Sequence, residues 1–247
     1  MKKTLLAATL TLAMPLAAHA TTITTVTGTQ GSLSASATFD ASVAGTLTVT
    51  LTNTSASDVL VPADVLTALF FSLDGATLTK VSAVLAGGST VFYDPQGQPA
   101  GGVVGGEWAY KAGLAGAPNT ADMGISSTGV GLFGPGDRFP GADLAPPTSP
   151  DGLQYGILSA GDNTGTGNAG VTGSGGLIKN SVVFTFTIAG FTDLDTQLSK
   201  VSFQYGTNLT DEPNFTTTDI TLPDGGMTLS LLGLALGSLG MLARRRA

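Results

Sequence analysis

The chain has no cysteine, and its one histidine, His19, lies among the first 20 of its 247 residues. If that leading stretch is removed, as its pattern indicates below, neither residue type remains. Ser-His-Asp and Cys-His nucleophilic catalysis, histidine-ligated zinc or copper, and thiolate metal sites are then excluded. Disulfides are excluded too, so stability must come from packing, and a chain of roughly 200 residues buries ~70% of its surface unaided. Charge is also scarce, with charged residues only 11% of the chain and ten basic residues against seventeen acids. Setting aside Lys2, Lys3, the three terminal arginines and Asp224 leaves Lys80, Lys111, Arg138, Lys179 and Lys200 against sixteen acids, a body of net charge −11 where the whole chain is −7. Five scattered basic residues form no patch for phosphate backbones, which speaks against a nucleic-acid partner. The acidity favours solubility and weak self-repulsion outside a cell.

What is present is strand patterning. Residues 46–52 alternate threonine with Leu47, Val49 and Leu51, the period of a half-buried antiparallel strand. The same alternation recurs at 33–39, at 182–188 with Val182, Phe184, Phe186 and Ile188 inward, and at 200–205 with Val201, Phe203 and Tyr205 inward. Segments 66–73, 78–85, 90–93 and 153–158 are further strand candidates, separated by turn signals such as Leu73-Asp74-Gly75 and Gly87-Gly88. Eight or more short strands with no convincing amphipathic helix predict an all-β domain, a β-sandwich, over residues 21–221.

Between Asp94 and Gly176 glycine, proline, asparagine and aspartate crowd out apolar residues, which predicts a long loop-rich insertion within that one domain. Three features there invite a chemical reading. Glu107, Trp108 and Tyr110 together could stack and hold a sugar ring, although a lone tryptophan in a sandwich also serves as core. Asp162, Asn163 and Asn168 supply oxygens for calcium but lack the EF-hand order and its bidentate glutamate; no metal or other cofactor is expected. The close acid pairs Asp193/Asp195 and Asp211/Glu212 could in principle serve a glycosidase, but such pairs near turns usually cap loops or face solvent. The chain is therefore not expected to be an enzyme. Asn-x-Ser/Thr triplets begin at Asn53, Asn208 and Asn214, and the abundant threonine has its plainest explanation in strand propensity.

The two ends have a different character. Lys2 and Lys3 precede an apolar stretch from Thr4 to Leu16, and Ala18-His19-Ala20 provides the small residues that signal peptidase requires at Ala18 and Ala20. Residues 1–20 are thus expected to be a cleaved secretory signal; the apolar stretch is short and carries Pro15, against a spanning helix. At the other end, residues 222–247 run from Leu222 through Pro223-Asp224-Gly225-Gly226 to an uncharged segment, 227–243, and then Arg244-Arg245-Arg246. As a helix the uncharged segment reaches about 25 Å, barely a bilayer's hydrocarbon core. The arginines would stay cytoplasmic and leave the body on the far side. Ser230, Gly233, Gly237 and Gly240 would line one face of that helix, open to close approach by a second helix.

Together these ends resemble the PEP-CTERM class of exosortase-processed surface proteins of Gram-negative bacteria. Pro223, Asp224, Gly225 and Gly226 stand as the sorting motif, with Asp-Gly-Gly in place of Glu-Pro as in Pro-Asp-type variants, and Arg244, Arg245 and Arg246 as the cytoplasmic anchor. The resemblance covers only the last 26 residues. It implies passage through signal peptidase, transient inner-membrane anchoring by the C-terminal helix alone, and cutting near 223–226 by an exosortase-like membrane transpeptidase. Delivery to the cell surface or the extracellular polysaccharide matrix, with a structural or adhesive role in biofilm, would follow. The alternatives are a carbohydrate-binding module using Glu107, Trp108 and Tyr110, and an ordinary tail-anchored periplasmic protein.

Overall fold

The structure, a computed structural model, describes residues 20–93, 100–130, 152–210, 214–216 and 219–221. The strands in chain order are β1 (Ile23–Gln30), β2 (Leu33–Asp40), β3 (Thr46–Asn53), β4 (Leu66–Leu73), β5 (Thr77–Leu85), β6 (Thr90–Phe92), β7 (Ala109–Ala112), β8 (Met123–Ser126), β9 (Ile157–Leu158), β10 (Leu177–Lys179), β11 (Ser181–Ala189), β12 (Leu198–Tyr205), β13 (Asn214–Thr216) and β14 (Asp219–Thr221). The helices α1 (Ala169–Thr172) and α2 (Leu194–Gln197) are single turns, so the described residues are all-β, as the pattern of 21–221 predicts.

Six strands form one sheet in the order β14-β1-β2-β3-β11-β5, every pair antiparallel. Its strands β1, β2, β3 and β11 largely obey the period of two. Along β3 Leu47, Val49 and Leu51 are fully buried while the intervening threonines are only partly so, and β11 buries Phe184 and Phe186 in the same layer. On the wetter face threonines pair across strands, Thr38 with Thr50 and Thr48 with Thr185, where their branched side chains pack against one another.

The eight-stranded sheet runs β13-β12-β4-β9-β10-β6, with β8 also on β4 and β7 on β8. The β9–β10 pair is parallel. Here the alternation fails, because β4 is buried at every position. Leu69, Phe71 and Leu73 face the core shared with the first sheet, whereas Ala68 and Phe70 join a second cluster with Ala109, Leu114, Ala117, Ala121 and Val130. That second layer comes from the stretch expected to be loop. Its described residues build β7, β8 and α1 besides β9, which falls in the 153–158 strand candidate, and residues 109–130 cover the outer face of β4. Gly124 is required in this layer: a Cβ there would meet Phe70 Cδ1 at 2.8 Å and Leu114 Cδ1 at 2.9 Å.

The common core draws on both sheets, and Phe39 of β2 meets Phe71 of β4 edge to face at 5.3 Å. Polar stitches close one end of it. The Tyr205 hydroxyl on β12 donates to the Ser34 carbonyl on β2 at 2.8 Å, and the Asn53 side-chain amide on β3 donates to the Ile157 carbonyl on β9 at 2.9 Å. Burial pushes the Tyr205 phenol well above its ordinary range. At the opposite end, Gln197 ties the two crossovers between sheets. Its Oε1 accepts from the amides of Thr192 and Asp193 at 2.7 and 3.1 Å, and its Nε2 donates to the carbonyls of Asp74 and Gly190 at 2.8 and 3.0 Å. That amide is 7% exposed with all these bonds made, as a buried polar side chain must be.

Candidate functional site

The residues expected to form a sorting motif, Pro223, Asp224, Gly225 and Gly226, those expected to anchor it, Arg244, Arg245 and Arg246, and Ala18 of the expected signal-peptidase site lie outside the described residues. Among the described residues no helix is long and apolar enough to cross a membrane. What the structure describes is the body to which these segments attach, and where their junctions fall.

Both junctions fall at one end of the first sheet. β14 stops at Thr221, paired with Thr25, and β1 starts at Ile23. Because the pairing is antiparallel, β1 enters the sheet at the end where β14 leaves it. Just before β1, Thr21 is held on three sides by the loop leading into α2. Its amide donates to Asp193 Oδ1 at 3.2 Å, its hydroxyl to Asp195 Oδ2 at 2.7 Å, and its carbonyl accepts from the Leu194 amide at 2.9 Å. Asp193 is also the N-cap of α2, accepting from the Asp195 amide at 2.8 Å. The acid pair thus caps a helical turn and receives the start of the domain. Nothing local in sequence brings Thr21 to it, because 172 positions separate Thr21 from Asp193.

The proposed sugar-stacking group is placed otherwise. Trp108 is fully buried, its ring 5.0 Å from that of Phe184 in an edge contact, and its Nε1–H donates to the Tyr155 carbonyl at 3.0 Å. With both ring faces inside the protein it has no surface on which a sugar can stack, which corrects the reading of Trp108 as a glycan contact. Tyr110 is half-buried with its ring 5.0 Å from Phe186, and its phenol is pushed up to about 12, first by burial and then by Asp122. Glu107 is 9% exposed. Trp108 and Tyr110 thus pack inward on Phe184 and Phe186 of β11 rather than forming a platform.

The loop weighed for calcium lies at the end of the first sheet away from the junctions and is organised by backbone capping. Asn168 Oδ1 accepts from the amides of Gly170 and Val171 at 2.9 and 3.2 Å, capping α1, and Asn163 Oδ1 accepts from Gly165 at 3.2 Å. Asp162, 3% exposed, accepts from the Val59 amide at 2.6 Å, and its carbonyl accepts from Lys179 Nζ at 2.6 Å. Burial raises the Asp162 carboxyl above the usual range and Asp58 adds to the rise, while the Val59 bond and Lys179 oppose it. No cluster of three or more metal-ligating His, Cys, Asp or Glu side chains is found among the described residues. Asn53, first of the glycosylation triplets, is fully buried with its amide engaged, so it presents no acceptor in the folded domain.

Comparison with known proteins adds no relative: no family model, no curated protein and no solved structure matches the chain.

Proposed function

We propose that this chain is an exported surface or extracellular-matrix protein whose two-sheet body, a β-sandwich, is carried to its destination by processing at both ends. Signal peptidase removes residues 1–20, the C-terminal helix holds the intermediate in the inner membrane, and an exosortase-like transpeptidase cuts near Pro223–Gly226. The observation that supports this reading is the place in the sheet of the last described strand before the expected sorting motif. β14 ends at Thr221, two positions before Pro223, and at the end of the sheet where the chain enters. A body joined to its signals at one end leaves the β1–β2 turn and the capped loops at the other end free to face outward. The role is structural or adhesive in an exopolysaccharide matrix. A glycan-binding role through Trp108 is not favoured, since that ring belongs to the core.

The test is the intact mass of the protein recovered from the cell surface, beside a variant carrying Pro223→Ala and Asp224→Ala. A wild-type C-terminus within 222–226, with the variant retained in the membrane at full C-terminal length, is the expected result. A wild-type mass running through Ala247 overturns the sorting reading and leaves a tail-anchored protein.

A further inference from the structure

We infer that Thr21 is the mature N-terminus and that the ammonium group created on it by signal-peptide removal is received by the carboxylates of Asp193 and Asp195. This rests on the reading of Ala18 and Ala20 as the signal-peptidase site. Hydrolysis of the Ala20–Thr21 peptide bond consumes one water, leaves a carboxylate on Ala20, and converts the Thr21 amide nitrogen to a primary amine that takes up a proton at neutral pH. That nitrogen already lies 3.2 Å from Asp193 Oδ1, and the hydroxyl of the same residue lies 2.7 Å from Asp195 Oδ2. Cleavage therefore changes a neutral donor into a cation at a place where two carboxylates stand, and a charge-assisted bond is roughly twice as strong as a neutral one.

The receiving loop is built to hold its position. Gln197 clamps the amides of Thr192 and Asp193, Asp193 caps α2, and the Leu194 amide holds the Thr21 carbonyl. Ala20, on the other side of the cleaved bond, is exposed. The other charged groups nearby are Asp40, opposite Ile23 on β2, Asp74, whose carbonyl Gln197 holds, and Lys200, the basic residue of β12, which is exposed. Processing thereby fastens β1, and through it β14 and the sorting junction, to the crossover between the sheets. In the uncleaved precursor the same nitrogen is an amide and the ion pair is absent.

The experiment uses protein recovered from the cell surface. Its N-terminus is read by mass, and acylation of its α-amine at neutral pH is timed against an unstructured peptide with the same first residues. The expected result is a chain beginning at Thr21 whose amine reacts roughly tenfold more slowly, because a neighbouring anion keeps it protonated. The double variant Asp193→Asn, Asp195→Asn should return it to the peptide rate. Asparagine is itself a good N-cap, so the turn survives, and the single variant Asp195→Asn gives an intermediate rate. A chain that begins at Thr21 but reacts at the peptide rate, or whose protection persists in the double variant, overturns the clamp and leaves the processing intact. A chain that begins elsewhere overturns the cleavage site and the clamp with it.

Discussion

The two sheets bury their strands differently. In the six-stranded sheet one face is core and the other is threonine-rich and partly wet, so strands such as β2, β3 and β11 can be read from their own residues. In the eight-stranded sheet the central strand β4 is covered on both faces, by the shared core on one side and by the 109–130 layer on the other. Burial on both faces erases period two, and the sequence Leu66-Thr-Ala-Leu-Phe-Phe-Ser-Leu73 reads as a short apolar run. The difference teaches that a glycine-rich stretch of weak pattern can serve as the missing outer layer of a strongly apolar strand.

The sharpest way to break this comparison is to remove apolar bulk from the outer face of each sheet. Phe70→Ala, in the outer layer of the second sheet, should cost about 3–5 kcal/mol by denaturant unfolding; a loss below ~1 kcal/mol would mean that the 109–130 layer does not cover β4. Gly124→Ala should cost about 1–3 kcal/mol, since the new methyl group meets Phe70 and Leu114 and the layer must shift. Tyr205→Phe removes the hydroxyl bond from β12 to Ser34 and should cost ~1 kcal/mol. The matched substitution on the outer face of the first sheet, Thr50→Ala, should fall within ~1 kcal/mol, because its site is only partly buried.

The buried phenols add a pH test of the same packing. Tyr110 and Tyr205 both titrate above the ordinary tyrosine value of 10.0 when folded, chiefly because burial disfavours the phenolate. In the window between the unfolded and the folded value the unfolded chain has lost protons that the folded chain keeps. Stability is therefore undiminished below about pH 10 and falls as pH rises beyond it. Unfolding followed across that range should show this decline, and Tyr205→Phe should make it shallower; an unchanged slope would show that Tyr205 is not the group responsible.

Most of the first sheet was legible from sequence: β2, β3, β5 and β11 lie where alternation or apolar content placed them. β1 was not read, because Ile23–Gln30 offers only Ile23 and Val26 as large apolar residues and its pairing is supplied by β2 and β14. β7, β8, β10, β13 and β14 were not read because three or four residues show a period only weakly. Segment 200–205 did turn Val201, Phe203 and Tyr205 inward, yet Ser202 and Gln204 are just as buried, which no alternation could have foretold.

By itself the sequence determined which side chains of the regular strands face the core, because a period of two is a local property of extended backbone. It also determined that the mature body, if residues 1–20 are removed, has no thiol or imidazole, because composition does not depend on folding. Only the tertiary structure decided that Trp108 belongs to the core, that β4 is covered on both sides, and that Asp193 and Asp195 meet Thr21. Each of these joins residues far apart in the chain, and such contacts exist only when the sheets have packed.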